Sequence, residues 1–127
     1  MSIVFVGGGN MASALIGGLI GRGWTVADLS VVEIAAEARR ALEQRYGLTV
    51  SADFPPRMAA EAIVLLAVKP QQMHQVAEAL HPRLTGQLVV TIAAGIRTAD
   101  LSRWLGGHAR IVRVMPNTPA LVQAGVS

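Results

Sequence analysis

The sequence predicts an α/β protein built on a doubly wound parallel sheet of about six strands. Three observations predict it. Short apolar runs alternate with helical stretches along all 127 residues. Several of these runs are continuous in Val, Ile and Leu, as in strands covered on both faces, rather than alternating with polar residues. Glycine or proline punctuates most of the junctions.

The first run is 3–6, IVFV, and it feeds directly into Gly7, Gly8 and Gly9. A helical pattern starts at Asn10 or Met11 and runs to Arg22, with Gly23 as its stop. A second strand is expected at 29–33. A helix over 35–46 follows, carrying Ala38, Leu42 and Tyr46 on one face and Glu37, Arg39, Arg40, Glu43 and Arg45 on the other. Gly47 suits its C-terminal end. A short third strand is read at 48–51, and Pro55 and Pro56 introduce a brief helical crossover over 57–61. The run 63–68, IVLLAV, is the clearest buried parallel strand. After Pro70, the apolar residues Met73, Val76, Ala77 and Leu80 recur at i, i+3, i+4 and i+7, a helical stripe that Pro82 and Gly86 end. The fifth strand is 88–93, broken by Gly95. Thr98 is expected to cap a helix reaching Leu105, closed by Gly106 and Gly107. The sixth strand is 110–115, ended by Pro116.

The bulk properties allow one domain, 1–127, with a real core: 52% of the residues are hydrophobic. With no cysteine there are no disulfides, thiolate metal sites or cysteine nucleophiles, which fits a cytoplasmic location. No run approaches the roughly 20 apolar residues of a membrane span, and the start does not read as a signal peptide. The net charge is +3, from dispersed arginines and the single Lys69. Basic and aromatic residues are not interleaved, so nucleic acid is not an expected partner; a small molecule is. His74, His81 and His108 have no metal-ligand spacing, and no metal site is assigned.

In open parallel sheets ligands lie beyond the carboxyl ends of the strands. Every distinctive motif here falls at such an end. Strand, glycine turn and helix at 3–12 form the context of a dinucleotide-binding fingerprint. Gly7 permits the tight turn, Gly9 lets a pyrophosphate approach the backbone, and Ala12 lets helix and strand pack closely. The helix start presents its N–H groups and dipole to the phosphates. Glu33, at the end of the second strand, is placed to accept hydrogen bonds from the adenosine ribose hydroxyls, which favours NAD over its 2′-phosphorylated form. Arg39 and Arg40 lie further on; they read more readily as a solvated helix face than as 2′-phosphate ligands. Asp53 is balanced between the adenosine side and a plain loop. Lys69, in the segment AVKP, reads as a backbone and packing contact rather than a catalyst. Ala93, Ala94 and Gly95 are small enough for a flat ring to lie against them. Asn117 and Thr118, between two prolines, are substrate-side candidates. No catalytic residue is assigned.

Four motifs together resemble pyrroline-5-carboxylate reductase: GGGNMA at 7–12, LAVKP at 66–70, IAAGI at 92–96 and VRVMPNTPA at 112–120. The first is generic and the last highly specific. The resemblance covers essentially the whole chain. It implies a Rossmann cofactor domain using NAD(P)H, with hydride passing to 1-pyrroline-5-carboxylate to give L-proline. Cofactor contacts then carry over to Val6, Gly7, Gly8, Gly9, Asn10, Met11, Glu33, Ala67, Val68, Lys69, Pro70, Ile92, Ala93 and Ala94. NADPH is the family's usual cofactor, but Glu33 and Ile34 replace the small polar residue and arginine of NADPH users, which tilts this chain toward NADH. The family's C-terminal helical domain forms the dimer and supplies most substrate contacts. The chain ends at Ser127 without it, so it is expected to be monomeric and to bind cofactor with little turnover. A related NAD(P)-dependent dehydrogenase and a stand-alone dinucleotide-sensing module are the alternatives.

Overall fold

The computed structural model describes residues 2–55, 58–93 and 95–114. Six strands, β1 (Ile3–Val6), β2 (Leu29–Val32), β3 (Thr49–Ser51), β4 (Ile63–Leu66), β5 (Leu88–Thr91) and β6 (Ile111–Arg113), form one sheet in the order β3-β2-β1-β4-β5-β6. Every pairing is parallel. This is the doubly wound order, in which the chain reverses its direction of winding between β1 and β4.

Alternation within β1 shows how two layers arise from one strand. Ile3 and Phe5 pack on one face with Ala12 and Ile16 of helix α1 (Asn10–Gly21) and Leu42 of α2 (Ala36–Tyr46). Val4 and Val6 pack on the other with Met73, Ala77 and Leu80 of α3 (Pro70–Leu80) and Leu101 of α4 (Thr98–Trp104). Side chains two apart share a face, so one continuous apolar strand serves both cores. Phe5, Ile16, Leu66, Met73 and Leu80 are fully buried. Each such side chain contributes about 1.5–3 kcal/mol by leaving water.

The helix ends follow local chemistry. Pro70 occupies the first turn of α3, where its missing N–H is not needed. Gly47 takes the left-handed conformation (φ 70°) after α2 and donates its N–H to Glu43 O at 2.9 Å.

Four expectations are corrected. Residues 58–61, the described part of the expected crossover helix, form a turn closed by Ala62 N–H to Ala59 O (3.0 Å). The segment is too short to repay helix nucleation and is held instead by Gln87, whose amide donates to Ala59 O at 3.1 Å. Thr98 does not cap α4. It is the first helical residue, Arg97 stands at the N-cap, and no side chain caps the helix. Strands β4 and β5 end two residues earlier than their apolar runs, at Leu66 and Thr91, where their parallel pairing stops. Arg110 and Val114 flank β6 rather than belonging to it.

Candidate functional site

A cavity of about 570 Å³ opens at the carboxyl ends of β1, β2 and β4, at the point where the winding reverses. Its floor is the glycine turn. Gly7 has φ +97°, and a Cβ there would lie 2.8 Å from Ala67 O, in the turn after β4. Gly7 is therefore glycine for reasons internal to the fold. A Cβ on Gly8 would meet Leu42 Cδ1 at 2.9 Å. Gly9 differs from both. Its φ is −77°, which any residue adopts, and an added Cβ would meet nothing within 4 Å. Neither strain nor packing asks for glycine here. The space beside it opens on the cavity.

Two helix N-termini meet at this cavity. The N-cap of α1 is Gly9, and that of α3 is Lys69; neither helix has a side-chain cap or an acidic residue in its first turn. Neither helix start carries an acidic residue of its own, so the main-chain N–H groups there suit an anionic pyrophosphate. Lys69 is exposed at the cavity wall.

On the β2 side the acidic residue is built into the wall. Glu33 Oε1 accepts from Gly8 N–H at 2.7 Å, and Oε2 accepts from Ala35 N–H at 2.8 Å. Each carboxylate oxygen has two lone pairs, so both retain one acceptor site for a ribose hydroxyl. Ile34 is 80% exposed at the rim. An isoleucine held in water beside a carboxylate is suited to lie under an apolar ring face.

The structure brings together Val6, Gly7, Gly8, Gly9, Asn10, Met11, Glu33, Ala67, Val68 and Lys69 on this one cavity. Pro70, Ile92 and Ala93 do not line it. Pro70 starts α3 beside it, while Ile92 and Ala93 are buried just past β5, with Ile92 N–H reaching Leu66 O at 3.4 Å. Ala94, Asn117 and Thr118 lie outside the described residues. Asp53 does line the cavity, but its Oδ1 accepts from Phe54 N–H at 2.8 Å, a local loop bond. Ala52, Phe54, Gln72, Gln75, Val76 and Ala79 also line it and were not singled out from sequence. Val76 belongs to the apolar stripe of α3 read from the sequence, whereas Ala79 is exposed and lies outside it. Gln72 and Gln75 carried none. Among the described residues, no cluster of His, Asp and Glu is placed to hold a metal ion.

The residues therefore fit a dinucleotide: an open approach at Gly9, two uncapped helix starts and a carboxylate with spare acceptor capacity. Residues 2–95 match a protein family described as NADP oxidoreductase coenzyme F420-dependent. The chain belongs to this family. Among curated proteins, the chain is similar to the pyrroline-5-carboxylate reductases of Pseudomonas aeruginosa (44% identical over 126 residues) and Escherichia coli K12 (37% over 127 residues). These matches cover 98% of this chain and 46% and 47% of those proteins, so the chain spans about half the length of the curated relatives it matches. Among solved structures it is similar to a pyrroline-5-carboxylate reductase from Coxiella burnetii, with 36% identity and TM-score 0.85 over 97% of this chain and 46% of that one. It also resembles Plasmodium falciparum pyrroline carboxylate reductase with NADP bound, with 27% identity and TM-score 0.74 over 96% of this chain and 44% of that one. This oxidoreductase family uses a nicotinamide dinucleotide. No helix among the described residues is long and apolar enough to cross a membrane.

Proposed function

We propose that this chain is the cofactor half of a pyrroline-5-carboxylate reductase. In the whole protein, hydride passes from NAD(P)H to the C=N carbon of protonated 1-pyrroline-5-carboxylate, its ring nitrogen keeping the proton, giving L-proline, the last step of proline biosynthesis. The observation that carries the reading is the similarity over 98% of the chain to proteins of that name, joined to a glycine turn whose third glycine is left open to a ligand.

When bound, the dinucleotide supplies the hydride. This chain's own contribution is placement. Main-chain N–H groups at the start of α1 receive the pyrophosphate, and Glu33 receives the ribose hydroxyls of the adenosine half. Glu33 favours NADH, because a 2′-phosphate would bring like charge toward its carboxylate. Ile92, Ala93 and Ala94 offer small or apolar surface on the nicotinamide side, and Asn117 and Thr118 offer hydrogen bonds to substrate or carboxamide. The homodimer and most of the substrate contacts belong to the whole protein in this reading, and its place is the cytoplasm.

The test is oxidation of NADH or NADPH, followed by absorbance, by the full-length protein that contains this span. Oxidation dependent on 1-pyrroline-5-carboxylate supports the reading. Oxidation dependent only on another imine or on a keto acid would replace it with a related dehydrogenase.

A further inference from the structure

Two walls of the cavity come from segments that the sheet does not join directly. Ala52, Asp53 and Phe54 follow β3, whereas Gln72, Gln75, Val76 and Ala79 belong to α3, which follows β4. Strands β2 and β1 stand between β3 and β4, so strand pairing does not set the distance between these walls. Packing supplies one link: Phe54 is buried in the core that holds Met73, Ala77 and Leu80 of α3. Apolar contact of this kind is non-directional.

Arg83 supplies a directed link. It ends the 3-10 turn His81–Arg83 that follows α3, and it is half-buried. Its Nη1 donates to Phe54 O at 3.2 Å and to Pro55 O at 3.1 Å, 29 and 28 residues away in sequence. Among the described residues, its Nε is buried without a hydrogen-bond partner. A buried, unpaired donor costs stability, so packing alone does not account for an arginine here. What the arginine supplies is a charged donor that reaches two successive carbonyls and ties the loop backbone to the end of α3.

The next step rests on the proposed reading of the cavity as a dinucleotide site with Glu33 at the adenosine ribose. Strand β3 lies beyond β2, so the wall after β3 flanks the adenosine half. Arg83 does not itself line the cavity. We propose that Arg83 is a positioning residue for the cofactor. By holding residues 52–55 to the end of α3, it sets the width of the adenosine end of the cavity before the ligand arrives. A wall fixed in advance lowers the ordering cost of binding.

Arg83→Met keeps much of the side-chain length and removes the donors. NADH and ADP are titrated by calorimetry into the 127-residue chain and into this variant, with melting curves to choose a temperature at which both are folded. Both ligands should bind at least about fivefold more weakly, by similar factors and at unchanged one-to-one stoichiometry, the scale of one charged hydrogen bond. Arg83→Lys, which disturbs the fold less and keeps a donor, should lie between the two. In the full-length protein, KM for NADH should rise by a similar factor, and that for 1-pyrroline-5-carboxylate by less than about twofold. Unchanged affinity for both ligands would overturn the proposal. A loss confined to NADH would overturn it too, by placing the effect outside the adenosine half. A fall in stoichiometry at constant affinity, or an equal rise in both KM values, would leave Arg83 as a brace of the whole fold and would also overturn it. A wild-type chain that binds neither ligand would instead overturn the assignment of the cavity itself.

Discussion

Glu33 and Gly8, 25 residues apart in sequence, are joined by a 2.7 Å hydrogen bond from the Gly8 N–H to Oε1. The acidic residue expected to meet the ribose is thus also a strap across the glycine turn. Its second oxygen holds Ala35 N–H at 2.8 Å, so one carboxylate fixes the exits of β1 and β2 together.

Removing that carboxylate should therefore act on apo stability and on ligand. Glu33→Ala is expected to cost about 1 kcal/mol of stability, a charged hydrogen bond discounted for partial exposure. NADH binding should weaken about tenfold or more. Chemical denaturation and an NADH titration check both; a variant that lost affinity at unchanged stability would show the strap to be energetically idle.

Gly17 and Tyr46 offer a test of helix packing. Tyr46 Oη donates to Ser13 O at 3.1 Å across α1 and α2, and a Cβ on Gly17 would lie 2.8 Å from that oxygen but 3.5 Å from the ring carbon carrying it. Gly17→Ala should destabilise the wild type despite the better helix propensity of alanine. In a Tyr46→Phe background the same change should be neutral or stabilising, with a coupling of about 1 kcal/mol or more. A double-mutant cycle of denaturation midpoints gives the number, and strict additivity would argue against this packing.

Gln87 is 1% exposed, and its amide is fully used. Oε1 accepts from Thr85 N–H at 2.7 Å, and Nε2 donates to Ala59 O at 3.1 Å and Met58 O at 3.4 Å. Gln87→Leu should leave these main-chain groups unsatisfied and cost about 2–3 kcal/mol, read from urea midpoints. A loss below about 0.5 kcal/mol would mean that water replaces the amide freely.

The doubly wound parallel sheet and the glycine turn were legible because they rest on signals with one physical meaning. A run such as IVLL at β4 can only be buried, and three glycines between strand and helix mark a close approach. The placement of polar side chains was less so. A glutamine or an arginine reads as solvated in any sequence pattern, yet Gln87 is buried under the β3–β4 crossover and Arg39 is folded onto the turn after β2. Their roles depend on carbonyl groups that are distant or conformation-dependent, and residue type does not encode those. Thr98 shows the reverse error: a good capping residue stands one position inside α4, because the chain already meets the helix at Arg97. The place of Glu33 after the second strand was legible, but its bond to Gly8 needed the fold.

The contrast between Gly7 and Gly9 sets the central claim most sharply. Gly7→Ala places a Cβ 2.8 Å from Ala67 O at φ +97° and should destabilise the fold by about 1–3 kcal/mol. Gly9→Ala meets no protein atom within 4 Å and should hold stability within about 1 kcal/mol. The measurement to make is a calorimetric titration of NADH into the chain and into its Gly9→Ala variant, with melting curves for both. The account predicts saturable one-to-one binding to the wild type, at least tenfold weaker binding to the variant, and nearly coincident melts. Equal affinity in the two proteins would contradict it, since the space over Gly9 would then be empty of pyrophosphate.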